Sequence, residues 1–248
     1  MKTRSVCFFL VISMLLISCN LWTITGNKMI TPSNVVISEN RDVSGFNAIN
    51  FSTLGKINLM QGDQESLNIS GPDNVVPEII TEVNNGNLVI RTKENIDINP
   101  LGNDNPLTFT IVVKDLTSFK ISGAGDVQME ALTTPELTIE MSGAGKIVQN
   151  QVSTENLDLS ISGLGGIDVS GQATQARIDI SGAGNVNAPD LQTQTANVTI
   201  SGLGGATLWV TDQLTGNISG AGSVSYYGDP QTKTSSTGAG SFKSLGSK

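Results

Sequence analysis

Residues 157–167 read Leu-Asp-Leu-Ser-Ile-Ser-Gly-Leu-Gly-Gly-Ile, and this stretch determines the fold because close copies of it return along the chain. Apolar residues alternate with polar ones up to Ile161, which is the pattern of a strand with one buried face. The tetrapeptide that follows, Ser-Gly-Ala/Leu-Gly, recurs about every 20 residues. It begins at Ser122, Ser142, Ser162, Ser181, Ser201 and Ser219, and a variant begins at Thr237. Repetition at a short, nearly constant period is typical of a solenoid.

A second apolar column lies five residues after the first residue of each motif. Its members are Val127, Ile147, Ile167, Val186, Ala206, Val224 and Phe242. Each repeat is therefore interpreted as one coil, made of a strand, a Ser-Gly-x-Gly corner turn, a second strand and a polar return. Such coils stack about 4.8 Å apart, so equivalent residues lie above one another. The sequence predicts an all-β fold, a flattened β-solenoid or right-handed parallel β-helix with coils of about 20 residues.

The two glycines of each motif are predicted to make the corner, because glycine adopts the positive φ angles that a sharp turn requires. These structural-turn glycines are Gly123, Gly125, Gly143, Gly145, Gly163, Gly165, Gly182, Gly184, Gly202, Gly204, Gly220, Gly222, Gly238 and Gly240. A phosphate-binding loop is rejected, since neither glycine-rich nucleotide-binding pattern occurs and no helix is predicted after the motif.

The composition of the 248 residues removes several classes of enzyme. Histidine is absent, which excludes histidine-based catalytic triads, histidine general bases and histidine-ligated zinc or iron sites. Charged residues make up 15% and aromatic residues 4% of the chain, which suits strands and tight turns better than amphipathic helices. We expect no cofactor and no metal site, and we assign no residue a catalytic role.

The N-terminus has the pattern of a targeting segment. The apolar run over residues 6–17 is too short to span a membrane, and it ends at Leu16-Ile-Ser-Cys19, which resembles a bacterial lipobox. We therefore predict a lipoprotein signal peptide over residues 1–18, followed by a lipidated Cys19 and a tether over residues 19–41. An ordinary signal peptide cut nearby, with Cys19 incidental, is the alternative.

The net charge limits the partners of the protein. The formal charge is −8, and cleavage before Cys19 would remove Lys2 and Arg4 and leave −10. Such a surface repels phosphate backbones and anionic headgroups, so we expect no nucleic acid partner. Membrane association is expected through the lipid anchor, which would place the protein in the bacterial cell envelope, on either face of the outer membrane.

Two parts of the chain differ in regularity. Residues 121–248 hold the regular repeats, whereas residues 42–120 are rich in strand patterns without a fixed period. The earlier part is interpreted as irregular N-terminal coils that begin the solenoid and cap its end. A separate small β domain is the alternative, although no linker rich in proline, glycine and serine divides the two parts.

Several short motifs, in order, resemble one bacterial family. They are Gly45-Phe46, Gln61-Gly62-Asp63, Glu82-Val-Asn-Asn-Gly-Asn-Leu-Val-Ile90 and then the Ser-Gly-Ala-Gly coils. Together they resemble the head GIN domain, a domain of unknown function that is also called an autotransporter adhesin head. The resemblance covers roughly residues 42–245. It implies a pectate-lyase-like β-superhelix with tight glycine turns, no recognised catalytic residues and a role in adhesion.

Two groups of residues are candidates for a binding surface. The first is the outer column of motif serines, Ser122, Ser142, Ser162, Ser181, Ser201 and Ser219, which could present hydroxyl groups to a glycan or a protein. Serine beside glycine is also simply compatible with a turn. The second group is Trp209, Tyr226 and Tyr227, because aromatic side chains often carry binding contacts. Trp209 could instead cover the interior of its coil, and the tyrosines could form a cap.

Acidic side chains supply the remaining candidate site. Glu140, Asp158 and Asp179 are expected to share one outward column, with Arg177 and Lys146 nearby. Stacked carboxylates of this kind act in enzymes that cleave polysaccharides. The same row also occurs on an ordinary solvated strand face.

The sequence thus favours a non-enzymatic envelope lipoprotein whose β-helical surface binds a glycan or a protein and mediates adhesion. One alternative is a periplasmic structural or envelope-stress-sensing module that contacts other proteins or forms a homo-oligomer. The other is a polysaccharide-active enzyme on a β-helix scaffold.

Overall fold

The computed structural model describes residues 26–99 and 105–248. Cys19, the predicted signal peptide and the first part of the predicted tether lie outside the described residues. Within residues 26–99 and 105–248, no helical segment has the length and hydrophobicity of a transmembrane helix. These ranges fold into β-strands, with a single short 3-10 turn at Val76–Glu78. The predicted all-β solenoid with parallel coils of about 20 residues is confirmed.

Nine strands precede the regular repeats in the described ranges. They are β1 (Lys28–Ile30), β2 (Val36–Arg41), β3 (Ala48–Ser52), β4 (Lys56–Gln61), β5 (Ser66–Pro72), β6 (Ile79–Asn84), β7 (Asn87–Thr92), β8 (Ile96–Ile98) and β9 (Thr108–Val113). Eleven strands follow them. They are β10 (Ser118–Ile121), β11 (Val127–Met129), β12 (Leu132–Thr133), β13 (Glu136–Met141), β14 (Ala144–Ile161), β15 (Leu164–Ile180), β16 (Ala183–Ile200), β17 (Leu203–Ile218), β18 (Ala221–Tyr227), β19 (Gln231–Ser236) and β20 (Ser241–Ser244).

The regular coils stack in strict register. Strands β14 to β17 each continue through most of a coil and pair in parallel with the coils before and after them. The pairing aligns Ile147 with Ile167, Val186 and Ala206, which confirms the second apolar column, and all four side chains are buried. Each buried aliphatic side chain of these ladders stabilises the repeats, by roughly 1.5–3 kcal/mol when fully buried.

Close packing between coils explains the glycines at the corner. A Cβ atom at Gly143 would lie 1.8 Å from the carbonyl oxygen of Gly123 in the preceding coil. No side chain fits at that distance, so the first glycine of the motif is required by the approach of two backbones. A positive φ is a separate requirement at the second glycine of some coils, such as Gly145 with φ of 142°. The second glycine of the other coils is also required by close packing, since a Cβ atom at Gly204 would lie 1.9 Å from the carbonyl oxygen of Gly184. The positive φ predicted from the sequence therefore occurs at Gly145 and Gly165 and not at the other twelve motif glycines.

The first coils do not stack in the order of the chain. Strand β3 pairs in parallel with β7 on one side and with β10 on the other, and β4 lies in the same way between β9 and β11. The coil of β3 and β4 is therefore enclosed by two coils that come later in the sequence. Its corner, Ser52-Thr-Leu-Gly55, replaces the usual motif, and Leu54 forms a parallel bridge with Ala124.

Antiparallel strands close the N-terminal end of the stack. Strand β5 pairs with β9, β2 pairs with β5, and β6 pairs with β7, all antiparallel. They end the run of parallel coils and cover its open edge, which would otherwise offer unpaired backbone groups to another chain.

At the C-terminal end of the stack, the core is closed by polar residues and one aromatic ring. In the last coil Thr232 and Ser236 stand in register with Leu214 and Ile218, so the inward aliphatic column stops there. Between them the preceding coil has Gly216, and a Cβ atom at Gly216 would lie 2.4 Å from Cε1 of Phe242. The Phe242 ring thus occupies the space that an aliphatic side chain fills in the other coils.

Candidate functional site

The motif serines form one exposed line along a corner of the solenoid. All six serines, and Thr237 after them, are exposed. The backbone N–H of each serine is used within the stack; that of Ser162, for example, donates to the carbonyl oxygen of Met141 at 2.9 Å. The serine side chains are exposed at each step, and the Ser142 hydroxyl also donates to the carbonyl oxygen of Ile121 at 3.4 Å. We call this line, together with the residue between the two glycines of each motif, the corner ridge.

Two leucines stand out on the corner ridge. Leu164 and Leu203 are 62% and 63% exposed, and Ala183 lies between them in register. Both leucines belong to identical Ser-Gly-Leu-Gly-Gly pentapeptides, in which the last glycine leaves the next outward position without a side chain. The sequence analysis did not identify these leucines as surface residues. The signal that could have identified them is the pentapeptide, which is repeated two coils apart.

Open grooves run along the outside of the coils, over the polar return and over the strand that follows it. One has a volume of about 710 Å³ and extends from Thr133 past Gln172 to Asp212. A second, of about 690 Å³, extends from Glu136 past Gln175 to Thr215. Both cross several coils, so a ligand lying in them would make similar contacts at each step.

The predicted single column of Glu140, Asp158 and Asp179 is wrong. Strand register pairs Glu140 with Ser160 and Ser160 with Asp179, so a serine interrupts the acids. Asp158 precedes its motif serine by four residues instead of two and therefore lies in a different column, beside Arg177.

Glu140, Asp179 and their neighbour Asp168 take part in ion pairs on an exposed face. Glu140 pairs with Lys120 at 3.0 Å, and Asp168 pairs with Lys146 at 2.6 Å. Arg177 Nε donates to Asp179 at 2.8 Å. That hydrogen bond, helped by the attraction of Asp179 and Asp158, raises the pKa of Arg177. The arrangement is that of a solvated strand face with compensated charges and not that of two carboxylates flanking a glycosidic bond.

Metal-ligating residues are dispersed as well. Within residues 26–99 and 105–248, no group of three or more cysteine, aspartate or glutamate side chains could hold a metal ion.

The predicted aromatic group is divided between two environments. Tyr226 pairs in register with Leu208 and packs against the core. Trp209 lies between the buried residues Leu208 and Val210, so its side chain points outward, where Tyr227 is its register partner. Trp209 and Tyr227 are half-buried and form a small outer aromatic surface without Tyr226.

A lysine lies over this aromatic surface. Lys248 Nζ is 5.1 Å from the ring centroid of Trp209 and 5.6 Å from that of Tyr227. The same ammonium donates to the carbonyl oxygen of Pro189 and forms an ion pair with Asp190. Sequence reasoning missed this contact because residues 58 and 59 positions apart meet only through the stacking of coils.

Solved structures share this fold. A "putative adhesin" from Bacteroides fragilis NCTC 9343 has a TM-score of 0.83 and 29% identity, over 87% of this chain and all of that chain (100%). A "putative lipid binding protein" from Parabacteroides distasonis ATCC 8503 has a TM-score of 0.71 and 23% identity, over 88% and 100% of the two chains. A "putative adhesin" from Parabacteroides merdae ATCC 43184 has a TM-score of 0.67 and 22% identity, over 88% and 99%. No curated protein sequence matches the chain significantly.

A family model matches residues 45–230, and its description is "putative auto-transporter adhesin, head GIN domain". This description and the adhesin names of similar structures support a role in binding or adhesion at an extracellular or envelope location. They also suggest a protein that is not an enzyme. Because the match extends over well more than half of the sequence, the chain belongs to this head GIN domain family.

Proposed function

We propose that this protein is a non-enzymatic lipoprotein of the bacterial cell envelope that binds a ligand through the corner ridge of its solenoid. One observation carries the proposal: serine hydroxyls and small or branched apolar side chains recur, exposed, at every regular coil. A repeated shallow surface suits adhesion, since many weak contacts can act together on an extended partner.

The exposed leucines favour a protein partner over a glycan. Burying one of them in an interface contributes roughly 2 kcal/mol before the cost of association is subtracted. Glycan recognition more often uses aromatic rings, and the described part of the corner ridge carries none.

The ridge can be tested by changing Leu164→Ser and Leu203→Ser together. The matched control is Val35→Ser with Val36→Ser, because these residues are also exposed, at 58% and 50%, and lie in the N-terminal part of the chain. We expect the ridge variant to lose at least about tenfold in binding to matrix proteins or intact cells, and the control to bind like the wild type. Equal binding by the wild type and both variants would show that the corner ridge is not the binding surface.

Anchoring is proposed at Cys19, by acylation after signal-peptide cleavage. A Cys19→Ala variant is expected to leave the membrane fraction and to lose labelling by a fatty-acid probe. Retention of both properties would contradict acylation at Cys19.

The side of the outer membrane on which the domain lies distinguishes adhesion from the periplasmic alternative. Intact cells are treated with protease and probed with an antibody against residues after position 40. Loss of the signal without lysis is the expected result. Protection until the outer membrane is breached would instead support a periplasmic structural or stress-sensing module.

A further inference from the structure

An irregularity in the stack leaves a short segment without a strand partner in the next coil, beside the outer aromatic surface. The register between β16 and β17 jumps from Ala188↔Leu208 to Gln192↔Trp209, so Pro189, Asp190 and Leu191 have no partner in the next coil. The carbonyl oxygen of Pro189 and the carboxylate of Asp190 therefore face the region where Trp209 lies.

Strand β18 completes the site from the opposite side. Tyr227 is the register partner of Trp209, which places the two rings on neighbouring strands about 4.8 Å apart. Two aromatic faces, one carboxylate and one carbonyl oxygen thus surround a single position. These are the groups that recognise an organic cation, because the ring faces and both oxygens carry negative potential.

The chain's own Lys248 fills this position. Its side chain is 30% exposed, which is low for a lysine on a surface. Its ammonium contacts both rings and both oxygen acceptors. The residues before it hold the segment in place, since Leu245 N–H donates to Tyr226 O at 2.7 Å and Gly228 N–H donates to Gly246 O at 2.9 Å.

We infer that Trp209, Tyr227, Asp190 and the Pro189 carbonyl form a binding site for a primary alkylammonium group, and that Lys248 occupies it as an internal competitor. The ligand class is a lysine side chain of a protein partner. The formal net charge of −8 complements such a basic partner. This inference goes beyond the proposed function, because it names a ligand chemistry and a site away from the corner ridge.

Competition by a tethered group sets the expected behaviour. A lysine held on the same chain acts at an effective concentration in the millimolar range, so a free ligand must exceed that concentration to displace it. Removing the Lys248 ammonium should therefore open the site without changing its walls.

The test uses Nα-acetyl-lysine amide as the probe and the fluorescence of Trp209 as the signal. A Trp22→Phe background leaves Trp209 as the single tryptophan, since the chain contains two. Lys248→Met is expected to bind the probe at least about tenfold more tightly than the wild type. Lys243→Met, an exposed lysine of the same coil, is the matched control and should behave like the wild type.

Further arms test the chemistry of the site. In the Lys248→Met background, Asp190→Asn should weaken binding about tenfold, whereas Asp229→Asn, the same change at another exposed aspartate, should not. The same probe acetylated on its ε-nitrogen has no positive charge and should not bind. Absence of saturable binding to a folded Lys248→Met protein, equal affinity of wild type and Lys248→Met, or equal binding of the acetylated probe would each overturn the inference. None of these results depends on whether the corner ridge is adhesive.

Discussion

Gly163 lies so close to Gly143 in the neighbouring coil that a Cβ atom at Gly163 would be 1.9 Å from the carbonyl oxygen of Gly143. Because the contact is between two backbones, neither side can move without separating the coils. The coils can therefore stack at this distance only if the position holds glycine. A substitution at Gly163 tests this close approach separately from any need for positive φ.

Gly163→Ala should destabilise the protein by about 3 kcal/mol or prevent folding, because overpacking against backbone cannot be relieved by a rotamer change. Gly166→Ala is the control in the same coil, since a Cβ there would meet its nearest atom, the carbonyl oxygen of Asn185, at 3.3 Å. Denaturant midpoints of the two variants provide the comparison. Similar losses for both would contradict the close-approach explanation.

The C-terminal end of the core gives a second prediction. Phe242→Ala should cost about 2 kcal/mol, since the half-buried ring covers the last buried aliphatic residues. Gly216→Val alone should also destabilise, because its side chain would collide with the ring. The double variant should recover about 1 kcal/mol or more, because valine restores the column that continues from Val198.

Hydrogen exchange of the amides in residues 213–218 measures this effect locally. Additive losses in the double variant would show that Phe242 does not occupy the position of the missing side chain.

Gln61 holds the out-of-order coil to both neighbours. Its Nε2 donates to Lys114 O at 2.9 Å and to Thr133 O at 3.0 Å, and its Oε1 accepts from Thr133 N–H at 2.9 Å. Gln61→Ala should cost about 1 kcal/mol, because three hydrogen bonds to backbone groups are lost and water can replace them at these exposed positions. Gln64→Ala, at an exposed position three residues on, should change the unfolding free energy by less than about 0.5 kcal/mol.

The exposed ion pairs should contribute little to stability or function. Glu140→Gln with Asp158→Asn is expected to change the unfolding free energy by less than about 1 kcal/mol, since the ion pair of Glu140 is solvated and the Asp158 side chain is exposed. Ligand binding should be unchanged within error. A polysaccharide cleaved by the wild type and spared by this variant would revive the enzyme alternative.

Sequence periodicity was sufficient for the regular coils because each one repeats the same local pattern. Ile167 could be assigned to a column from its distance to Ser162 alone, and the register confirms it. The same counting failed for Asp158, whose offset from Ser162 is four residues and not two. A one-column error of this kind leaves the buried face unchanged, since side chains two apart on a strand share a face.

Neighbours in space could not be predicted where the pattern is interrupted. Nothing local to β3 shows that its partners are β7 and β10, because any apolar strand of similar length would fit. The ammonium site is also formed by residues that lie far apart in the sequence. Asp190 contacts Lys248 at the point where three residues of one coil have no partner in the next coil. A repeat period describes the regular coils and does not show where such extra residues lie.

The enclosed position of β3 and β4 has a consequence for how the protein is made. Residues 48–61 are synthesised before either of the coils that will flank them. Strand β11, one of the two partners of β4, is complete only at Met129. Coil-by-coil growth from the N-terminus, the simplest route for a repeat protein, is therefore unavailable to this chain. One edge of β3 and one edge of β4 therefore stay unpaired until β10 and β11 of the first regular repeat have been synthesised.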